Sequence, residues 1–194
     1  YPDKKRKGAI VRKTLGQLVQ KRAISPKQGA LLFKIVNYFK PVHILQIGTN
    51  MGLSTLYLTS YASGLQCIAL ESNPAFASVA RETFKQARNP IDLREGDYTD
   101  LLPKALKDIE ALDFVYFNMQ DDDICCSSLF NKCVEQTNQN SVFVFKGIKS
   151  SSKMRIAWKE ICSHPKVTVT MDLYALGIVF FNDKLHKRNY ITYY

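Results

Sequence analysis

His43-Ile44-Leu45-Gln46-Ile47, followed at once by Gly48-Thr49-Asn50-Met51-Gly52-Leu53-Ser54, is the stretch whose reading decides the fold. The first five residues form a short apolar run between Pro41 and a glycine, which reads as a buried strand. Gly48 permits a turn that an L-residue would resist. Gly52 stands where the next helix begins and lets the backbone approach a ligand closely. Strand, glycine turn and helix in that order open a doubly wound sheet, whose ligands bind at the carboxyl ends of the strands where the strand order reverses. The spacing lacks the G-x-G-x-x-G of a dinucleotide binder and the G-x-x-x-x-G-K-[ST] of a phosphate-gripping loop.

Outward from this stretch the chain alternates. Downstream strands are read at Gln66–Leu70, Ile91–Arg94, Phe114–Phe117 and Ser141–Phe145, and helices over about 52–63, 74–87, 99–109, 124–136 and 151–163. Such alternation implies a parallel sheet with helices on both faces. The rhythm breaks at the end. The β-rich runs Lys166–Asp172 and Leu176–Phe181 lie about three residues apart, too close for a parallel crossover, so they form a hairpin. The expectation is an α/β, Rossmann-like, doubly wound and mostly parallel seven-stranded sheet, closed by an antiparallel hairpin.

Upstream, Ile10, Val11, Leu15, Leu18 and Val19 recur at helical spacing. Ser25-Pro26 caps and opens a second helix reaching about Tyr38. These helices carry the chain's charge. It holds 27 Lys+Arg against 17 Asp+Glu, a formal charge of +10, and residues 1–40 contain eleven of the basic groups and one acid, Asp3. The expected organisation is a basic N-terminal helical extension, 1–40, before one neutral compact unit, 41–194. No apolar run approaches the ~20 residues that cross a bilayer. The start lacks the apolar core of a signal peptide. The cysteines Cys67, Cys125, Cys126, Cys133 and Cys162 are odd in number with no C-x-x-C spacing, and read as reduced thiols of a cytoplasmic protein.

Glu71 follows the second strand, 23 residues after Gly48, where an acid can accept hydrogen bonds from both ribose hydroxyls of a nucleoside. Taken with Gln46-Ile47-Gly48-Thr49 through Ser54-Thr55, Gly96-Asp97 before Leu102-Pro103, Asp113–Phe117 and His164-Pro165 leading into the hairpin, the sequence resembles the class I S-adenosylmethionine-dependent methyltransferases. It is most similar to small bacterial O-methyltransferase-like proteins, relatives of the catechol type, over roughly residues 25–190. The resemblance implies that Gly48, Thr49, Asn50, Gly52 and Ser54 line the methionine and ribose part of S-adenosylmethionine and that Glu71 holds the ribose hydroxyls. It places Ser72 and Asn73 beside the adenosine, and Gly96, Asp97 and Tyr98 at the adenine. Gln46 stands where the family carries an acid bonded to the glycine loop or to the cofactor's amino group.

The catechol-type relatives hold a divalent cation with acids at the ends of strands four and five. Here Asn118, Lys146 and Gly147 occupy those places, so no metal is expected. Asp121-Asp122-Asp123, close behind, reads as a solvated loop and acidic first helical turn. Lys146 and Lys149 lie where an acceptor would arrive and are the candidate catalytic groups, as base or as oxyanion partner. Tyr116, Tyr174 and Trp158 are candidates to line the acceptor pocket. The expected activity is O-methyl transfer to a small molecule without a divalent metal. The alternatives are a relative that binds cofactor without catalysis, and a nucleic-acid methyltransferase using the basic segment. Nucleic acid is the less favoured partner. The resemblance implies a homodimer through the N-terminal helices, and no membrane partner is expected.

Overall fold

The computed structural model describes residues 23–119 and 126–192. The helix expected around Ile10–Val19, the run Asp121–Asp123 and Cys125 lie outside the described residues. The first described helix, α1, spans Pro26–Phe39; Ser25 caps it by accepting the Gln28 N–H, and Pro26 occupies its first turn. Lys40 ends it in a left-handed conformation, φ 50°, donating its N–H to the Val36 carbonyl. Five further helices follow: α2 Leu53–Thr59, α3 Pro74–Phe84, α4 Tyr98–Asp108, α5 Cys126–Val134 and α6 Ser152–Ser163.

The strands are β1 His43–Ile47, β2 Gln66–Glu71, β3 Ile91–Glu95, β4 Phe114–Phe117, β5 Val142–Lys146, β6 Val169–Asp172, β7 Leu176–Phe180 and β8 Arg188–Ile191. They form one sheet in the order β3-β2-β1-β4-β5-β7-β6-β8. The first five are parallel, and β7 lies antiparallel between β5 and β6. The architecture is the expected one with a strand more than the seven read from sequence. β8 pairs in parallel with β6, and all four of its residues are exposed. Arg188-Asn189-Tyr190-Ile191 lacks an apolar run, so pairing with β6 is what makes it a strand.

Strand alternation splits the core in two. On one face Leu45, Ile47, Val115, Phe117, Phe143 and Phe145 lie under α4, α5 and α6. On the other, Ile44, Phe114, Tyr116, Val142 and Val144 lie under Leu32, Ile35 and Val36 of α1 and Leu58 of α2. Residues 26–39, part of the segment set apart as an extension, therefore pack into the domain's own core. The β3 edge carries Asp92, Arg94 and Glu95, a charged border that discourages further pairing. Among the described residues no helix is long and apolar enough to cross a membrane.

Candidate functional site

The strand order reverses between β1 and β4, so the loops that follow these two strands border the crevice expected to hold a ligand. Backbone hydrogen bonds run past the strand ends and fix those loops. Gly48 and Thr49 both donate to the Leu70 carbonyl at 3.0 Å, and Asn118 donates to the Ile47 carbonyl at 2.8 Å. Gly48 has φ 84°, and a Cβ there would lie 2.7 Å from the Asn118 carbonyl oxygen. Glycine is thus demanded twice, by conformation and by contact with the end of β4. Gly52, at φ 83°, is also constrained from within the fold. A Cβ on it would meet the Phe84 ring at 2.7 Å, so its close approach is to α3. Thr83 of α3 also donates its hydroxyl to the Met51 carbonyl at 2.8 Å.

Glu71 is buried and joins two loops. Its Oε2 accepts the Asn50 N–H at 2.5 Å and its Oε1 accepts the Asn73 N–H at 2.9 Å. Asn50 in turn donates from Nδ2 to the Asn118 carbonyl at 3.1 Å, and its own φ is 53°. The carboxylate is therefore held by backbone donors at the mouth of the crevice, oriented before any ligand arrives.

Gln46 lies beneath the glycine loop, fully buried. Its amide donates to the Gly48 carbonyl at 3.2 Å and to Ser54 Oγ at 2.9 Å, and accepts from Thr55 Oγ1 at 2.9 Å. Gln46 and Ser54 thus brace the loop from inside. Thr55 and Thr83 are supports that sequence reading missed; their partners lie nine and thirty-two residues away, and no spacing rule singles them out.

In the loop after β2, Asn73 caps α3, accepting from Ala75 N and Phe76 N, and Ser72 beside it is half-buried. Gly96 donates its N–H to the Glu71 carbonyl at 3.0 Å. Exposed Asp97 caps α4; the Thr99 hydroxyl and N–H, both at 2.6 Å, hold its carboxyl below the ordinary range. Tyr98 is buried in the α4 core. The structure brings Gly48, Thr49, Asn50, Glu71 and Asn118 together at the switch point. Ser72, Asn73, Gly96 and Asp97 lie along the next loops.

Three buried oxygens are left without a hydrogen-bond partner among the described residues: Thr49 Oγ1, Asn118 Oδ1 and Tyr116 Oη. All three sit in or just below the loops of β1 and β4. Buried polar atoms are ordinarily satisfied, so the two on the crevice loops, Thr49 Oγ1 and Asn118 Oδ1, suit a polar ligand or ordered water there. Tyr116 is wholly buried under α1, and burial pushes its hydroxyl far above its usual pKa. It is a core side chain at the base of the crevice.

The two candidate lysines part company. Lys146 ends β5 one position beyond the Phe117–Phe145 pair, beside Asn118, and continues the Val142–Val144 side of the strand. It is half-buried, and this desolvation lowers the pKa of its ammonium. Lys149 instead pairs with Asp172 Oδ2 at 3.0 Å and stands 4.8 Å from the centre of the Tyr174 ring. It ties the loop after β5 to the β6–β7 hairpin.

Comparison with known proteins gives the lineage. Residues 4–150 match the O-methyltransferase family, 147 of the 194 residues. The chain belongs to the O-methyltransferase family. Catechol O-methyltransferase B of Danio rerio is 29% identical over 104 residues, covering 51% of this chain and 39% of that protein. The catechol O-methyltransferase of Niastella koreensis is 28% identical over 89 residues, covering 44% and 40%. The chain spans about two fifths of the length of the curated relatives it matches. An O-methyltransferase from Bacillus cereus, solved in complex with SAH, superposes with TM-score 0.70 at 20% identity over 88% of this chain and 93% of that one. The O-methyltransferase TomG from Streptomyces achromogenes, solved with SAM, gives 0.70 at 18% over 89% and 92%. At these identities the likeness shows the fold.

Within this O-methyltransferase fold, the ends of β4 and β5 present Asn118, Lys146 and Gly147. A neutral amide, a cation and a glycine do not form a donor set for a hard divalent ion, which needs anionic oxygens. Among the described residues no three His, Cys, Asp or Glu side chains are grouped to hold a metal. The residues present at the family's metal position therefore do not fit one.

Proposed function

We propose that this member of the O-methyltransferase family transfers a methyl group from S-adenosylmethionine to a hydroxyl of a small molecule, without the divalent cation of its catechol-type relatives. The observation that carries the reading is the clustering of Thr49 Oγ1 and Asn118 Oδ1, buried and unpartnered, around a glycine turn beside the fixed Glu71 carboxylate. A nucleoside with a charged amino-acid tail is a ligand of the right polarity for that cluster. Gly48, Thr49, Asn50 and Asn118 would hold its amino-acid part and Glu71 its ribose, with Ser72, Asn73 and Asp97 along the adenosine. Bound there, S-adenosylmethionine supplies an electrophilic methyl on a sulfonium, for which in-line positioning provides much of the rate.

The chain's own contribution to chemistry is at Lys146. Burial favours its neutral amine, which can accept the proton of an acceptor hydroxyl; the resulting ammonium then stabilises the oxyanion. Lys149 is engaged by Asp172 and is not the base.

Calorimetric titration of the chain with S-adenosylmethionine and its demethylated product tests the binding. Heat with a Kd of roughly 1–100 µM is expected, the same in EDTA and in excess Mg²⁺. Silence at millimolar ligand would sink cofactor binding. A tightening by Mg²⁺ of about tenfold or more, worth ~1.4 kcal/mol, would overturn the metal-free reading.

Lys146 gives a second prediction. NMR titration of the labelled lysines should place its Nζ below the ordinary 10.5. With a panel of phenolic acceptors in EDTA, kcat/KM should rise with pH through that same depressed value, because the neutral amine is the active form. K146R stays protonated throughout and should lose about 10²-fold or more in kcat, with cofactor affinity unchanged. Wild-type turnover in K146R would show that the positive charge, not the base, is what matters.

A further inference from the structure

The eighth strand builds a second cavity. It has a volume of about 520 Å³, within the range of small-molecule pockets, and lies between α6 and the β6–β8 edge. One wall is Trp158 and Ile148, the other Tyr190 and Ile191 of β8. Trp158 is seated by its ring edge over Gly177 of β7, where a Cβ would meet the indole at 2.5 Å, and by Phe145 at 5.8 Å between ring centres. The wall is therefore rigid and aromatic.

The rim is cationic. Arg155 and Lys159 are exposed, one helical turn apart on α6, so they share a face. Arg155 donates to Ser152 Oγ at 3.1 Å, and neither side chain has a carboxylate partner among the described residues. The cavity's one lining carboxylate, Asp172, is already neutralised by Lys149 and accepts the Tyr174 N–H at 2.8 Å. Two uncompensated cations thus stand over an aromatic, apolar slot. From the carboxyl end of β4 to that of β6 is three strand spacings, about 14 Å, so the cavity is separate from the switch-point crevice.

We infer that this cavity binds a small aromatic carboxylate, its ring against Trp158 and its anion between Arg155 and Lys159. The inference does not depend on the methyl-transfer reading.

Trp158 is the chain's single tryptophan, so its fluorescence reports on this wall alone. Titration of the whole chain with 2-naphthoate should change that fluorescence saturably, and the neutral isostere 2-naphthamide should bind about tenfold or more weakly. R155Q/K159Q, altered only at exposed positions, should weaken 2-naphthoate by a similar factor while melting at the wild-type temperature. Adding the demethylated cofactor should leave the naphthoate affinity unchanged. Three results would overturn the assignment: no fluorescence change at millimolar naphthoate, equal affinity for acid and amide on the unaltered chain, or competition with the nucleoside.

Discussion

E71A is expected to lose both cofactor affinity and fold stability, and the two losses have separable causes. In the native chain the Glu71 carboxylate accepts the Asn50 N–H at 2.5 Å and the Asn73 N–H at 2.9 Å. Alanine strands the first of these donors in a buried position and returns the second to a half-exposed one. Leaving a buried donor unsatisfied costs about 1–3 kcal/mol, and bonds to charged groups lie at the upper end, so a total near 2–3 kcal/mol is expected. For a chain of this size that lowers Tm by roughly 5–10 °C. Ligand binding suffers further, because Asn50, released from Glu71, no longer presents the loop between Gly48 and Asn118 in one geometry. A fall in S-adenosylmethionine affinity of at least about tenfold is expected for the folded fraction. Thermal melting and calorimetry at a temperature where the variant is folded measure the two effects. A lowered Tm with unchanged affinity would leave Glu71 as a brace alone, and the ribose assignment would fall.

G48A should be strongly destabilising, and Gly64 supplies its control. Both glycines are in the left-handed region, at φ 84° and 76°. A Cβ on Gly64 meets nothing within 4 Å, so G64A reports conformational strain alone, about 1–2 kcal/mol. At Gly48 the same strain is joined by a Cβ 2.7 Å from the Asn118 carbonyl and 3.1 Å from the Met119 nitrogen. Those are backbone atoms at the end of a fully buried strand and cannot swing aside as a side chain would. G48A should therefore cost about 3 kcal/mol or more and abolish detectable cofactor heat, because the glycine loop and the end of β4 must separate. Urea unfolding of the two variants side by side gives the difference. Equal losses would show that the Gly48–Asn118 approach is not a constraint.

β1, β2, β4 and β5 were legible as short apolar runs bounded by polar or turn-forming residues, and β3 as the short run Ile91–Arg94 between helices. Helix starts were legible at Ser25, Asn73 and Ser151, whose side chains cap as their residue types suggest. The resemblance places Asp97 at the adenine, and the structure shows the same side chain capping α4. Gln46 was visible as a departure from the family, but not its use, which needs Ser54 and Thr55 folded back against it. Lys146 and Lys149 looked equivalent three residues apart. They differ because β5 ends between them, leaving one beside Asn118 and delivering the other to Asp172 of a strand two places away in the sheet.

By itself the sequence determined the α/β class, the parallel strands with their closing hairpin, and the glycine turn with its trailing acid. It also shows Asn118, Lys146 and Gly147, not acids, after the fourth and fifth strands. These are local properties: hydrophobic period, turn chemistry and residue type at a strand end. Tertiary structure alone decided that Gly52 answers to Phe84, that Glu71 is gripped by two backbone amides, and that Thr49 and Asn118 keep buried oxygens without partners among the described residues. It alone made Arg188–Ile191 a strand and so closed a cavity against Trp158. Each of these depends on atoms brought together from distant parts of the chain, by packing that no window of neighbouring residues contains.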